Sequence, residues 1–252
     1  MWHTRKKAEE VLASVQAHRH HVTLPHTDSA NQRDPLPRSG KRLLERLCVN
    51  ILLAQTIGDA WALTHDAMGR PSLYAPGNEK AAAPMQVSIS HTKDMYALML
   101  HPGQCGIDVE EWGIRATAIS HRFVRAEEGE TLAQLTDSLS TLRPTLPIGQ
   151  SSGSHRPITA DDMAATLLWS AKEAAYKVMN YHCQLTIGDI SLEFLPRPTA
   201  GTTALQGTLK ASTPQWPGHT LHVHYMLLPT AAFTWTADAS TNHPQTSSNI
   251  PK

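Results

Sequence analysis

Three cysteines, Cys48, Cys105 and Cys183, are all that 252 residues contain. An odd set without metal-ligand spacing excludes a disulfide scaffold and a zinc module. It leads us to expect reduced thiols in a cytoplasmic protein. Charge of either sign in excess is also missing. Lys plus Arg is 22 and Asp plus Glu is 22, a formal net charge of +0. There is then no overall field to draw in nucleic acid, and no interleaving of aromatic with basic residues to read it. No apolar run is long enough to span a bilayer. Behind the charges of Met1-Trp-His-Thr-Arg-Lys-Lys there is no apolar segment, so no signal peptide is expected. The fifteen histidines are scattered. The group His18, His20, His21 and His26 lacks the carboxylate or thiol framework of a transition-metal site and reads as a solvated polar stretch.

Two short segments stand out against this background. The first is G-I-D-V-E, Gly106 to Glu110, which reads as a strand. Residues two apart in a strand share a face, so Asp108 and Glu110 project together and Val109 turns to the core. The second is W-S-A-K-E-A-A-Y-K, Trp169 to Lys177, which reads as a helix. Residues four apart stack on one helical face, so Trp169, Glu173 and Lys177 form a row. With the strand facing the helix, Asp108, Glu110 and Glu173 would converge. Such crowded carboxylates call for a cation, and oxygen ligands favour a hard one such as Mg²⁺, with Mn²⁺ also suited. Lys177 would then stand beside a bound anion such as phosphate. Singly, each motif is more often a solvated face, and E-x-x-x-K is a common helix-surface pair. The conjunction is what points to chemistry.

The rest of the chain reads as helix then strands, twice. Residues 1–38 are polar with several prolines, with a short helix expected near 5–17 and little order otherwise. A helix is expected over about 40–56, capped by Ser39, with Leu43, Leu47, Ile51 and Ala54 on its core face and Lys41, Arg42 and Arg46 forming a basic patch. Gly69-Arg70-Pro71 is a turn. Strands at 87–90, 96–101 and 104–110 suggest an antiparallel meander. Helices follow near 117–124 and 126–136, then a mobile loop over 138–156. Thr159 caps a helix running to about Asn180, with Asp161 and Asp162 in its first turn. Strands are expected near 189–195, 203–211, 220–228 and 232–236, before a disordered tail over 238–252.

The two motifs together resemble the signature of the 4′-phosphopantetheinyl transferases. Further elements agree in order over residues 40–195: Gly69-Arg70-Pro71, the strand Val87 to Thr92 that carries Ser90-His91, and Arg122-Phe123 followed by Glu128. The length is similar to that of the surfactin-synthetase-activating type. The resemblance implies an α+β fold of two related halves, 39–104 and 105–237. Each half is a helix packed on a small, mainly antiparallel sheet, forming a pseudo-dimer in a single monomeric chain. It implies transfer of the 4′-phosphopantetheine group of coenzyme A to a serine of an apo acyl or peptidyl carrier protein, releasing adenosine 3′,5′-bisphosphate. Asp108, Glu110 and Glu173 are the expected ligands of Mg²⁺. Arg42, Arg70, Ser90, His91 and Lys177 are the expected coenzyme A contacts. Glu173 or Glu128 is the general base, and Lys177 assists the departing phosphate. Trp169 is expected in the core, and Lys172 points away from the Glu173 row, with the cleft rim still within its reach. Two alternatives use the same residues: Mg²⁺-dependent hydrolysis of the coenzyme A pyrophosphate, and a binding module without turnover.

Overall fold

A computed structural model describes residues 38–78, 85–93, 95–142, 156–195 and 205–238. It is an α+β protein built around a buried helix. That helix, Ala160–Met179 (α4, by its place in the chain), is preceded by α1 (Arg38–Ile57), a short α2 (Arg115–Ala118) and α3 (Gly129–Leu142). The strands are β1 (Ala62–His65), β2 (Pro71–Tyr74), β3 (Gln86–His91), β4 (Tyr96–His101), β5 (Cys105–Glu111), β6 (Ser191–Phe194), β7 (Gln206–Ser212), β8 (Thr220–Leu227) and β9 (Ala231–Ala237). Among the described residues, no helix is long and apolar enough to cross a membrane.

Helix α4 starts where the sequence says it should. The Thr159 hydroxyl accepts from the Asp162 N–H at 3.2 Å, and the Asp162 carboxylate accepts from the Thr159 N–H at 2.9 Å. This reciprocal cap satisfies two of the N–H groups a helix start leaves without partners. Asp162 does more than offset a dipole. It is fully buried and also accepts two bonds from Arg156, at 2.6 and 2.8 Å. Beyond the cap the helix is apolar on most sides, with Met163, Leu167, Leu168, Ala171, Ala174, Ala175 and Val178 all without exposure. A helix of that kind belongs inside a domain.

One layer against it is an antiparallel five-stranded sheet in the order β5-β9-β8-β7-β6. The strand β5 therefore does not continue a meander from β4, as its sequence neighbourhood suggests. It pairs with β9 over seven residues, from Cys105↔Ala237 to Glu111↔Ala231. The apolar residues of β9 supply the reason: Ile107 and Val109 pack with Ala231 and Phe233 in one cluster. That cluster also takes in Ala97 and Met99 of β4, so β4 covers β5 by side-chain packing and not by a ladder.

The other edge of β5 faces β3, which pairs only with β4. An open strand edge buried in protein needs its N–H groups satisfied. Two serine side chains do this. Ser88 Oγ accepts from the Ile107 N–H at 3.1 Å, and Ser90 Oγ accepts from the Val109 N–H at 3.2 Å.

Helix α1 uses a different face from the one its spacing suggests. Val49, Leu52 and Leu53 are buried against Leu73, Val87 and Leu98, whereas Leu47 is 51% exposed. The helix is apolar enough for two competing stripes, and the strands beneath it select one. Ser39 lies inside this helix and does not cap it. The segment expected as a helix near 117–124 is broken into α2 and a 3-10 turn at Ser120–Arg122. The expected loop from 138 begins later, because α3 continues through Leu142 and buries Leu139. The expectations for residues 1–37, for the remainder of that loop and for the tail beyond 238 lie outside the described residues.

Strand β5 and helix α4 come close together at Gly106. A Cβ placed on Gly106 would lie 1.9 Å from the Ala174 carbonyl oxygen and 3.3 Å from Lys177 Cβ. Only a glycine permits this contact, and it sets the strand flush against the helix. Gly106→Ala is expected to destabilise the protein by about 3 kcal/mol, the upper end of the usual cost of overpacking. Chemical denaturation measures this, and an unchanged midpoint would show that the layers separate without cost.

Candidate functional site

The even-numbered residues of β5 follow Gly106 toward α4. Asp108 is 4% exposed. Its Oδ1 accepts from Ser90 Oγ at 2.8 Å and from Lys177 Nζ at 3.1 Å, while its Oδ2 is buried without a hydrogen-bond partner. Glu110 accepts from Trp169 Nε1 at 3.1 Å. The helical row therefore meets the strand pair in order: Trp169 at Glu110 and Lys177 at Asp108, with Glu173 between them on the helix.

Two of the three carboxylates, Glu110 and Glu173, are perturbed. Burial, then the Asp108 charge and more weakly Glu173, push Glu110 up to about 7 from an ordinary 4.5, against the lowering effect of the Trp169 N–H. Glu173 is raised as well, by burial and by Asp108, with Lys177 pulling the other way. Yet among the described residues no three His, Cys, Asp or Glu side chains stand as a finished metal cage. The full convergence expected from the sequence is thus not reached, and Lys177 takes the place of a neighbouring cation at Asp108. The donor set still fits a hard divalent ion. It is all oxygen, it is short of positive charge, and one oxygen of a buried carboxylate has no partner.

Glu128 is elsewhere. It is 1% exposed, with one oxygen accepting from Lys172 Nζ at 2.6 Å and from the Arg125 N–H at 2.8 Å, and the other accepting from the Leu192 N–H at 2.7 Å. Lys172 is fully buried and also donates to the Phe123 carbonyl at 2.6 Å. It does not reach the cleft rim. The pair ties α4 to the segment before α3 and to β6. Phe123 in turn meets Trp169 edge to face, centroids 5.0 Å apart, so Trp169 is held from behind while it faces Glu110 in front.

On the Lys177 side lies a cavity of about 750 Å³, within the range of small-molecule sites. Its walls come from α1, β1, the β1–β2 turn, β3 and the end of α4. Arg46, His65, Arg70, His91 and Lys177 give it a largely basic lining, with Glu45 the acidic exception. Arg70 is aimed by its turn. Gly69, at φ +78°, reverses the chain. The Asp66 carboxylate accepts from the Arg70 N–H at 2.8 Å and from its Nε at 2.7 Å. The guanidinium lies over the Tyr181 ring, 4.3 Å from its centroid. His91 is exposed beside Tyr96. Ser90 is not free in the same way, since its hydroxyl is held between Asp108 and the Val109 N–H. Arg42 lies on α1, but its side chain falls outside the described residues.

Arg46 of the expected basic patch does line the cavity, whereas sequence reasoning missed Tyr181 and His65. Tyr181 was within reach of it, because Trp169, Glu173, Lys177 and Tyr181 continue one spacing of four. His65 carried no signal before β1 was known to wall the cavity. Cys105 also borders the cavity, but burial pushes its thiol up to about 12, so it is no nucleophile.

Residues 104–223 match the family model of the 4′-phosphopantetheinyl transferase superfamily, whose members move phosphopantetheine from coenzyme A to carrier proteins. The matched span opens just before β5, contains all of α4 and ends in β8. Arg46, His65, Arg70 and His91 lie before it. No curated protein matches the chain.

The raised Glu110 has a consequence for stability. Between about 4.5 and about 7 the folded protein keeps a proton that the unfolded chain releases. Stability from this group is therefore present at low pH and lost as pH rises through 7. Glu110→Gln keeps an acceptor for Trp169 and removes the titration. In chelator, its melting temperature is expected to gain on the parent's across that window, by roughly a few degrees at pH 8. Parallel curves would mean that Glu110 is not perturbed.

Proposed function

We propose that this protein transfers the 4′-phosphopantetheine group of coenzyme A to a serine of an apo acyl or peptidyl carrier protein. The observation that carries the reading is the junction of two features at Lys177: a buried carboxylate cluster on β5 and α4, and a basic cavity sized for a small molecule. On this reading the chain is of the surfactin-synthetase-activating type. Residues 39–104 and 105–237 are its two related halves, working as a monomer.

The cavity takes the nucleotide end of coenzyme A. Arg70 offers a guanidinium already oriented by Asp66, and guanidinium geometry suits phosphate. His91 adds a donor from β3. Ser90 acts one step back, by holding Asp108. Asp108, Glu110 and Glu173 would hold Mg²⁺ or Mn²⁺, and the ion would supply positive charge to offset that of the pyrophosphate. Lys177, at the boundary of cavity and cluster, faces the phosphate that departs.

The carrier serine Oγ attacks the phosphorus that bears the pantetheine. The bond from that phosphorus to the bridging oxygen breaks, and adenosine 3′,5′-bisphosphate leaves with the oxygen. The serine proton needs a base within hydrogen-bond reach. Glu173 suits this better than Glu128. Its carboxyl is raised toward the working range and it lies in the row between Trp169 and Lys177. Both Glu128 oxygens are occupied by Lys172, Arg125 and Leu192. Glu128 and Lys172 keep Trp169 and the helix in place.

The test is the intact mass of an apo carrier protein after incubation with this protein, coenzyme A and Mg²⁺. The expected gain is about 340 Da, one phosphopantetheine, on the chemistry of phosphoryl transfer. Asp108→Ala is expected to lower the rate by roughly a hundredfold or more, about 2.7 kcal/mol of barrier. An unmodified carrier with coenzyme A consumed would replace transfer by hydrolysis. An unmodified carrier with coenzyme A intact, across acyl and peptidyl carriers, would leave a binding module.

A further inference from the structure

Lys177 is already engaged by the protein's own acceptors. Its ammonium donates to the Ile107 carbonyl at 2.7 Å, to Asp108 Oδ1 at 3.1 Å and to the Ile89 carbonyl at 3.4 Å. All three of its protons are directed at the protein. It thereby reaches across from α4 to both β5 and β3, at the point where those strands are stitched by serine side chains. Asp108 is buried, and an ammonium can serve only one of its two oxygens well. The other, Oδ2, has no partner. The Lys177 side chain is still 27% exposed and lines the basic cavity beside it.

We infer that Lys177 is a resident counter-ion that competes with the divalent cation for Asp108 and is drawn off it by an anion in the cavity. This rests on the reading of the carboxylates as a cation site. Without a ligand, the lysine charge screens Asp108 and opposes a second cation. When phosphate groups enter beside Arg46, Arg70 and His91, the lysine exchanges one anion for another. Its four-carbon stem allows that movement without shifting the helix. Asp108 is then released with both oxygens available, next to Glu110 and Glu173. Cation and nucleotide binding are therefore mutually reinforcing, and by linkage the gain is equal in both directions. The empty protein does not hold a tight metal ion, and the site is completed only when there is a pyrophosphate to act on.

Mn²⁺ titration followed by electron paramagnetic resonance, on the full chain at pH 8 without nucleotide, tests this directly. Lys177→Met is expected to bind Mn²⁺ at least about tenfold more tightly than the parent, since a unit positive charge next to the site is gone. Asp108→Asn combined with Lys177→Met is expected to lose that gain. Equal or weaker binding by Lys177→Met would overturn the exchange. A second measurement needs no variant. Adenosine 3′,5′-bisphosphate is expected to tighten Mn²⁺ binding to the parent beyond its own chelation, measured in a protein-free control. No tightening would also overturn it. The transfer assay stands apart from both readouts: an unmodified carrier with the Mn²⁺ results intact overturns the reaction and leaves the exchange standing.

Discussion

Everything at this site depends on the distance between β5 and α4. Gly106 has no side chain, so the strand backbone meets the Ala174 carbonyl directly. That contact brings Asp108 and Glu110 onto the helix row of Trp169, Glu173 and Lys177. A layer spacing of about 10 Å, usual where side chains interdigitate, would leave these groups apart. The same approach keeps the carboxylates partly out of water. Burial then does the electrostatic work, raising Glu110 and Glu173 and making a neighbouring positive charge valuable.

Two lysines on one helix illustrate how position decides role. Lys172 and Lys177 are five residues apart, so they leave the helix on different sides. Lys172 is sealed against Glu128 with no exposure on either partner to speak of, 0% and 1%. A pair that dry is costly to separate, because either member alone would be an uncompensated buried charge. It serves as a strut under Trp169. Lys177 is partly exposed and borders a cavity, so its partner can be exchanged. The spacing of the sequence motif already separates the two, since Lys177 falls in the row of Glu173 and Lys172 does not.

The strand and helix carrying the carboxylates were legible in the sequence because their faces repeat with periods of two and about four. The Thr159 cap, the turn at Gly69 and the strands β6 to β9 were legible for the same local reasons. What was not legible depends on partners far away in the chain. The pairing of β5 with β9 joins residues more than a hundred positions apart, and nothing in G-I-D-V-E distinguishes it from a meander with β4. The core face of α1 was misassigned because two apolar stripes compete and only the strands beneath choose between Leu47 and Leu52. Glu128 is a candidate base by the resemblance, in an acid run that by itself suits a helix start. Only the tertiary structure places it under Lys172, the Arg125 N–H and the Leu192 N–H. Tyr181 was overlooked because the row was cut at Lys177, one turn too early.

On the proposed reading, one cation site and one anion cavity meet at Lys177. Anomalous scattering from a crystal grown with Mn²⁺ and coenzyme A addresses it most directly. The expected map has one manganese peak among Asp108, Glu110 and Glu173, touching the pyrophosphate, with Lys177 turned from Asp108 to a phosphate oxygen. Coenzyme A in the cavity with no manganese at these carboxylates, or manganese bound with Lys177 still on Asp108, would contradict it.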